Sequence, residues 1–235
     1  MFITSVRLDH IRDESYIRTL PAVRHLEVLD GLRLYHPVTF FVGDNGAGKS
    51  TLVEAIAIAA GFPGTGGPIR EVLPTSAVPT ESALSRWITL RGRELPLRGY
   101  FLRAETHYDT VSAFDNKQWA DPAESRHLMS HGESVLSVLG DHVDGAGLYI
   151  FDEPESGLSI VRQMALVAEI QQAVQRGGQF IIATHSPIML AVPDATIVEI
   201  TEDGMVETVY DEAEAVVATR EFLEDPEGTL KYILE

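Results

Sequence analysis

The segment VTFFVGDNGAGKSTLVEAIA, residues 38–57, joins an apolar strand pattern, a glycine-rich turn and a helix-forming run. The turn matches G-x-x-x-x-G-K-[ST], and a strand before it and a helix after it are the context of a phosphate-binding loop. Glycines let the main chain wrap a phosphate, so that backbone amides and the helix N-terminus face its charge. The predicted phosphate-binding residues are Gly43, Asp44, Asn45, Gly46, Ala47, Gly48, Lys49, Ser50 and Thr51.

A phosphate-binding loop of this kind works with a metal and a second acidic residue. The Lys49 ammonium is expected to contact the β- and γ-phosphates, and the Ser50 hydroxyl to bind Mg²⁺. The later apolar strand GLYIFDE ends in two acids. Asp152 would hold Mg²⁺ through water, and Glu153 would orient or deprotonate the attacking water. The alternative is structural, with both acids capping the turn before a helix.

Composition limits the class of protein. The chain has 235 residues, 45% hydrophobic and 23% charged, which suits one globular domain with a sizeable core. It lacks cysteine, which excludes a disulfide framework, a cysteine zinc site and a cysteine nucleophile. No run approaches the roughly 18 apolar residues of a membrane span. These features predict a cytoplasmic protein without membrane insertion.

The net charge of the chain is −17, which repels the phosphates of nucleic acids. The charged residues are unevenly distributed along the sequence. Residues 86–103 carry five basic side chains and one acidic, whereas residues 104–235 carry 6 basic and 25 acidic. The basic side chains could face nucleic acid or an acidic partner. Alternatively, they form a solvated edge partly paired with the acidic half. These side chains are Arg86, Arg91, Arg93, Arg98 and Arg103.

Hydrophobic periodicity predicts an α/β chain in which strands and helices alternate. Predicted strands cover 2–8, 25–29, 32–42, 99–104, 147–153, 179–185, 195–201 and 205–210. Predicted helices cover 49–60, 131–140, 159–175 and 211–223, with a short last one. Residues 69–97 show no clear pattern.

Three further segments resemble ATP-binding-cassette (ABC) ATPases. DEPESGLS at 152–159 is similar to their Walker B motif and D-loop, and THSP at 184–187 to their switch-histidine segment. MSHGES at 129–134 stands where that class carries its LSGGQ signature. With the phosphate-binding loop, four landmarks occur in family order between residues 43 and 187.

The resemblance implies a P-loop NTPase fold of ABC type: a mostly parallel sheet with flanking helices, an N-terminal antiparallel portion and a short helical subdomain. One domain, 1–235, would hold the reduced helical and signature subdomain at 61–147. The resemblance also implies ATP and Mg²⁺ as cofactors and a head-to-tail, ATP-sandwiched homodimer. Ser130, Gly132 and Glu133 would contact nucleotide in trans, and His185 the γ-phosphate in cis.

Some residues depart from the pattern of ABC ATPases and indicate which branch of that family the chain resembles. His131 replaces a signature glycine, and Glu133 replaces glutamine, as in RecF-like and SMC-like ATPases. Glu105 is the nearest candidate for the Q-loop glutamine and could approach the metal or lie on the surface. Tyr16 and Tyr35 are candidates for stacking on adenine, although a structural role is the stronger expectation for each.

Spacing also bears on the branch. Lys49 and Asp152 are 103 residues apart, which leaves too little chain for the long coiled-coil insertion of SMC-like ATPases. Glu105 and Ser130 are only 25 residues apart, which is short for the helical subdomain of a transporter's nucleotide-binding subunit. The chain resembles small bacterial "predicted ATPase" proteins of ABC type. The first functional hypothesis is an ATPase that drives a protein partner in DNA maintenance or defence. The alternatives are a transporter's nucleotide-binding subunit and a small-molecule phosphotransferase.

Overall fold

A computed structural model of the chain describes residues 1–9, 11, 16–69, 83–93, 98–104, 140–143 and 145–234. Its strands are β1 (Ile3–Leu8), β2 (Leu32–Arg33), β3 (Val38–Gly43), β4 (Gly67–Pro68), β5 (Ile88–Gly92), β6 (Gly99–Arg103), β7 (Leu148–Asp152), β8 (Gln179–Ala183), β9 (Thr196–Ile200) and β10 (Met205–Thr208). Its α-helices are α1 (Pro21–Val28), α2 (Lys49–Ala59), α3 (Ile160–Gln175), α4 (Glu214–Glu224) and α5 (Pro226–Leu234).

A seven-stranded sheet, in the order β10-β9-β3-β8-β7-β6-β4, forms the centre of the fold. The five strands from β9 to β6 run parallel, and β10 and β4 pair antiparallel at the edges. Every residue of β7 and of β8 is buried, as expected for parallel strands that are covered on both faces. The α/β prediction with a mostly parallel sheet is therefore confirmed.

Alternate side chains of each parallel strand enter separate apolar clusters. Phe41, Ile150 and Ile181 point to the face covered by α1 and α2. Neighbouring residues, among them Phe40 and Phe180, pack on the other face against α3 and α4. The sheet is thus sandwiched between helices, which places the carboxyl ends of its strands along one open edge.

The predicted N-terminal antiparallel portion is a second sheet, in the order β2-β1-β5. Helix α2 contacts β5 of this small sheet and β7 and β8 of the large one. Because it packs in both directions, α2 buries apolar side chains around most of its circumference, as Leu52, Val53 and Ile56 illustrate. This packing holds the start of α2, at Lys49, rigidly at the sheet edge.

The side chain of Gln179 ties the two sheets together. Its Oε1 atom accepts hydrogen bonds from the backbone amides of Phe2 (2.6 Å) and Ile3 (2.9 Å). Its Nε2 atom donates to the carbonyl of Ile3 at 2.6 Å. Gln179 is 1% exposed, so these main-chain groups have little access to water as a substitute.

Replacement of Gln179 by Leu is expected to lower the free energy of unfolding by about 2–4 kcal/mol, because it leaves buried amide and carbonyl groups without a partner. Urea denaturation measures this change. The control is Gln172→Leu, an exposed position on α3, which should change stability by less than about 0.5 kcal/mol. Equal midpoints for the two variants would show that the Gln179 bonds contribute nothing.

Helix α1 lies where the sequence predicted a strand. Residues 25–29 were predicted as a strand, yet they lie in and just after helix α1. Pro21 occupies the first turn of α1, and the buried residues Ala22, Val23 and Leu26 follow helical spacing. Strand β5 lies within 69–97, where the sequence shows no clear pattern.

The strand predicted at 32–42 is divided into β2 and β3, with Pro37 between them, and the short strand β4 was not predicted. The remaining strands and helices in the described ranges fall where the sequence predicts them, with ends shifted by a few residues. The predicted helix at 131–140 and most of the predicted subdomain at 61–147 lie outside the described residues. Within the ranges that the structure describes, no helix has the length and apolar character needed to cross a membrane.

Candidate functional site

The glycine-rich loop between β3 and α2 follows a path that requires glycine at two positions. Gly43 has φ 137°, and a side chain there would collide with the carbonyl oxygen of Ile200. Gly48 has φ 91°, and a Cβ atom would lie 3.1 Å from the Cβ atoms of Leu20 and Ala22. The loop therefore packs tightly against β9 and the start of α1, and its shape is preset by the fold.

Lys49 lies folded back over this loop. Its Nζ atom donates hydrogen bonds to the carbonyls of Gly43 (2.8 Å) and Asp44 (2.9 Å), and the residue is only 4% exposed. Burial lowers the pKa of the Lys49 amine, and the carboxylates of Glu153 and Asp152 partly oppose this shift. An anionic phosphate at this position would favour the charged amine.

The residues at the start of α1 form one wall of a pocket beside the glycine-rich loop, and the sequence did not predict this wall. The backbone amide of Ala22 donates to the carbonyl of Ala47 at 2.9 Å, which fixes the segment to the loop, and Leu20 lines the adjoining pocket. Tyr16 and Tyr35, the candidates for stacking on adenine, are 77% and 56% exposed and do not line this pocket. Pro21 at a helix start was the available sequence signal for this wall.

The opposite wall begins where β7 ends. Asp152 is the last residue of β7 and is 5% exposed. Glu153 follows with φ 51°, a left-handed conformation that is unfavourable for a residue with a side chain. Its backbone amide donates to the carbonyl of Ala183 at 2.9 Å, which anchors the turn to β8. Strained positions of this kind concentrate at functional sites.

His185 follows β8 at the same sheet edge and faces Glu153. Its Nε2 atom lies 3.7 Å from Oε1 of Glu153, and both side chains are about two-fifths exposed. Parallel neighbours β7 and β8 end side by side, with Asp152 opposite Ala183 in register, so residues about thirty positions apart in sequence become adjacent.

Eight of the twelve predicted site residues that the structure describes line one pocket, which has a cavity volume of about 210 Å³. Its lining residues are Leu20, Asn45, Gly46, Gly48, Lys49, Ser50, Thr51, Glu153 and His185. Gly43 and Asp44 line a neighbouring pocket that also includes His185. Ala47 is a buried residue of the loop itself. The pocket combines the start of helix α2 with the cation of Lys49, the carboxylate of Glu153 and the imidazole of His185.

Ser50 in this pocket and Asp152 at the end of β7 have donor atoms that suit Mg²⁺ bound together with phosphates. The Ser50 hydroxyl and the Asp152 carboxylate are oxygen ligands of the type that Mg²⁺ prefers, and Mg²⁺ usually takes one or two protein ligands plus water and phosphate oxygens. Among the residues that the structure describes, no group of three or more His, Asp or Glu side chains could hold a metal by itself. The residues present therefore fit a cation that arrives with a nucleotide.

The arginines at 86–103 do not form one surface. Arg103 is 13% exposed, and its Nη1 atom lies 3.1 Å from Oε1 of Glu54 on α2. Arg91 is exposed on β5 and pairs with Ser5 of β1. On the other side of β1, Ser5 pairs with Arg33 of β2, which is also exposed. Glu105 and the residues predicted to contact nucleotide in trans, Ser130, Gly132 and Glu133, lie outside the described residues.

Two family models match the chain. Residues 102–191 match a model described as "AAA domain, putative AbiEii toxin, Type IV TA system", and residues 22–73 match an AAA domain. The cytochrome c biogenesis ATP-binding export protein CcmA of Gluconobacter oxydans is 31% identical over 168 residues, covering 69% of this chain and 76% of that protein. The galactose/methyl galactoside import ATP-binding protein MglA of two Haemophilus influenzae strains is 28% identical to this chain, which spans 37% of the length of MglA.

Solved structures show the same fold. The structure of cbiO1 from Clostridium perfringens, part of the ABC transporter complex cbiONQ, has a TM-score of 0.51 at 18% identity and covers 98% of this chain and 99% of its own. An SmcHead bound to the C-winged helix domain of ScpA has a TM-score of 0.51 at 14% identity, with 91% and 100% covered.

The fold and the phosphate-binding loop define a P-loop NTPase. With the similarity to CcmA, they show that this chain belongs to the ABC-type P-loop ATPases, and it resembles the AAA-type and SMC-like members of that group.

Proposed function

We propose that this chain hydrolyses ATP to ADP and phosphate with the help of Mg²⁺, as an ATP-sandwiched homodimer that drives a conformational change in a protein partner. One observation carries the proposal: Lys49, Glu153 and His185 line a single pocket at the carboxyl edge of the sheet. A phosphate-binding cation, a carboxylate and an imidazole on one pocket are the groups that phosphoanhydride hydrolysis uses.

Each side chain has a distinct task in this reaction. Lys49 exchanges the carbonyls of Gly43 and Asp44 for oxygens of the β- and γ-phosphates. Ser50 directly and Asp152 through water would hold Mg²⁺, which would supply positive charge beside the phosphates. Glu153 orients the attacking water and accepts its proton, and the new oxygen–phosphorus bond replaces the bond to the β-phosphate oxygen of ADP. His185 donates a hydrogen bond to the γ-phosphate.

The dimer completes each site in this proposal. The signature segment of one subunit, with Ser130, Gly132 and Glu133, caps the γ-phosphate held by the other subunit. Closure is favoured because contacts to the γ-phosphate exist only with ATP bound, and hydrolysis releases them. The support is the order of landmarks that the chain shares with ABC ATPases. Glu105 is proposed as a further group near the metal, and residues 1–235 as one domain that includes a reduced helical subdomain at 61–147.

The output of the cycle is proposed to act on another protein in DNA maintenance or defence. The toxin–antitoxin description of the family model at 102–191 supports the defence reading. The alternative is a nucleotide-binding subunit of a membrane transporter, which the identity to an ATP-binding export protein favours. The two hypotheses differ in the partner of the ATPase, which is a membrane protein only if the chain is a transporter subunit. Nucleic acid is a candidate partner at the exposed arginines, although the net charge of −17 opposes it.

The experiment that tests the dimer is light scattering on the Glu153→Gln protein. This variant should retain ATP without hydrolysing it, so its mass should double when ATP and Mg²⁺ are added and stay unchanged with ADP. Glu153→Gln combined with Lys49→Ala is the control, and it should stay monomeric because it does not bind nucleotide. A mass that ignores ATP would contradict the ATP-dependent homodimer.

A further inference from the structure

Glu155, two residues after Glu153, makes a connection that the pocket chemistry leaves unexplained. A single carboxylate oxygen, Oε1, accepts hydrogen bonds from the Thr184 hydroxyl and from the backbone amide of His185, each 2.7 Å long. Hydrogen bonds to a carboxylate are stronger than those between neutral groups. Glu155 therefore holds the main chain at the point from which the His185 imidazole projects.

Neighbouring residues extend this connection into a hydrogen-bonded ring, which is closed where the amide of Leu158 donates to the carbonyl of Glu155 at 2.9 Å. The amide of Ser186 donates to the Thr184 hydroxyl at 3.0 Å, and the Ser186 hydroxyl donates to Oε1 of Gln163 at 2.6 Å. The Gln163 amide in turn donates to the carbonyl of Leu158 at 3.1 Å. The ring thus joins the segment after β8 to the loop 153–159 at two points, Glu155 and Leu158.

Burial makes this ring rigid. Thr184 is fully buried and Ser186 is 8% exposed, so water cannot easily replace their hydrogen bonds. The Ser186 hydroxyl also accepts from the backbone amides of Ile188 and Met189, which fixes the direction in which it donates. A shift of the loop 153–159 is therefore transmitted to the backbone of His185.

We propose that Glu155 is a positioning residue that acts through His185, by holding the His185 backbone in register with the loop that carries Glu153. The inference rests on the proposed function, in which His185 contacts the γ-phosphate. It adds a specific role for the acid at position 155. It also couples His185 to the loop 153–159, which is similar to the Walker B and D-loop segment of ABC ATPases.

The test is a double-mutant cycle on ATPase turnover. Glu155→Ala should lower kcat by about 10- to 100-fold, because displacement of a catalytic group by about 1 Å can have that effect, whereas KM should change by less than about threefold. Glu155→Gln should stay within about threefold of wild type, since its amide oxygen can accept both hydrogen bonds. Glu169→Ala, at an exposed position on α3, is the matched control and should leave turnover unchanged.

The decisive comparison adds Glu155→Ala to a His185→Ala background. If Glu155 acts through His185, the second substitution should change kcat by less than about twofold. A further loss as large as that in the wild-type background would overturn the proposal, as would full activity of Glu155→Ala. If Glu155→Ala does not fold, Thr184→Val keeps the side-chain shape but removes one donor from the same oxygen and the acceptor of the Ser186 amide. Its loss of turnover should also vanish without His185.

The outcomes separate this inference from the proposed function. Full turnover in His185→Ala alone would remove His185 from the chemistry and overturn the positioning role of Glu155, while the proposed ATP hydrolysis would stand. No ATP turnover in the unmodified protein would overturn the proposed function itself. A large loss in His185→Ala with no effect of Glu155→Ala or Thr184→Val would leave the proposed function standing and overturn only the positioning role of Glu155.

Discussion

Glu153→Gln is expected to lower ATP turnover by about 10²- to 10⁴-fold, while the affinity for ATP changes by only a few fold. Glutamine has nearly the same shape as glutamate and should adopt the same left-handed backbone, but its amide cannot accept the proton of the attacking water. The substitution also removes the negative charge 3.7 Å from His185. Phosphate release in a single turnover measures the chemical step, and a fluorescent ATP analogue measures binding.

Lys49→Ala provides the contrast, because it should abolish ATP binding itself. Its ammonium is the cation of the pocket and is already held among loop carbonyls where phosphate oxygens would lie. Glu169→Gln, a change at an exposed carboxylate remote from the pocket, controls for a general effect of charge. Undiminished turnover in Glu153→Gln would remove Glu153 from its role, and equal loss of binding in both site variants would assign Glu153 to binding instead.

The second large effect concerns the shared site. Ser130→Arg should abolish turnover, because a bulky cation in the signature segment blocks closure over the nucleotide of the other subunit. Lys49→Ala should also be inactive alone. A mixed dimer of the two variants retains one intact site, formed by Lys49 of the Ser130→Arg subunit and Ser130 of the other. An equimolar mixture should thus recover at most about a quarter of wild-type turnover, the fraction expected for random pairing in a symmetric dimer.

The mixing experiment has two informative failures. Full recovery of turnover would contradict the shared-site model, because a mixed dimer of the two variants can contain only one intact site. No recovery, although crosslinking shows that mixed dimers form, would mean that Ser130 does not contribute in trans. Wild-type protein mixed with Lys49→Ala controls for subunit exchange.

Local pattern was a good guide to the central fold. The strand, loop and helix at 38–59 are as predicted, since an apolar run, a glycine turn and a helix-forming segment are decided by neighbouring residues. The prediction of a strand at 25–29 was wrong because Pro21 starts a helix there and Ala22 and Leu26, four residues apart, are buried on one helix face. Strand β5 was missed because its pairing with β1 is non-local.

The sequence by itself determined the phosphate-binding loop, the acids after β7 and the histidine after β8, because each motif is contiguous and depends on short-range backbone geometry. Only the tertiary structure decided that Leu20 lines the pocket, that Gln179 fastens the first strand from 176 residues away, and that Glu155 holds His185. Those contacts depend on which strands lie side by side. Strand order results from burying both faces of the sheet together, so no single segment of the chain contains the information.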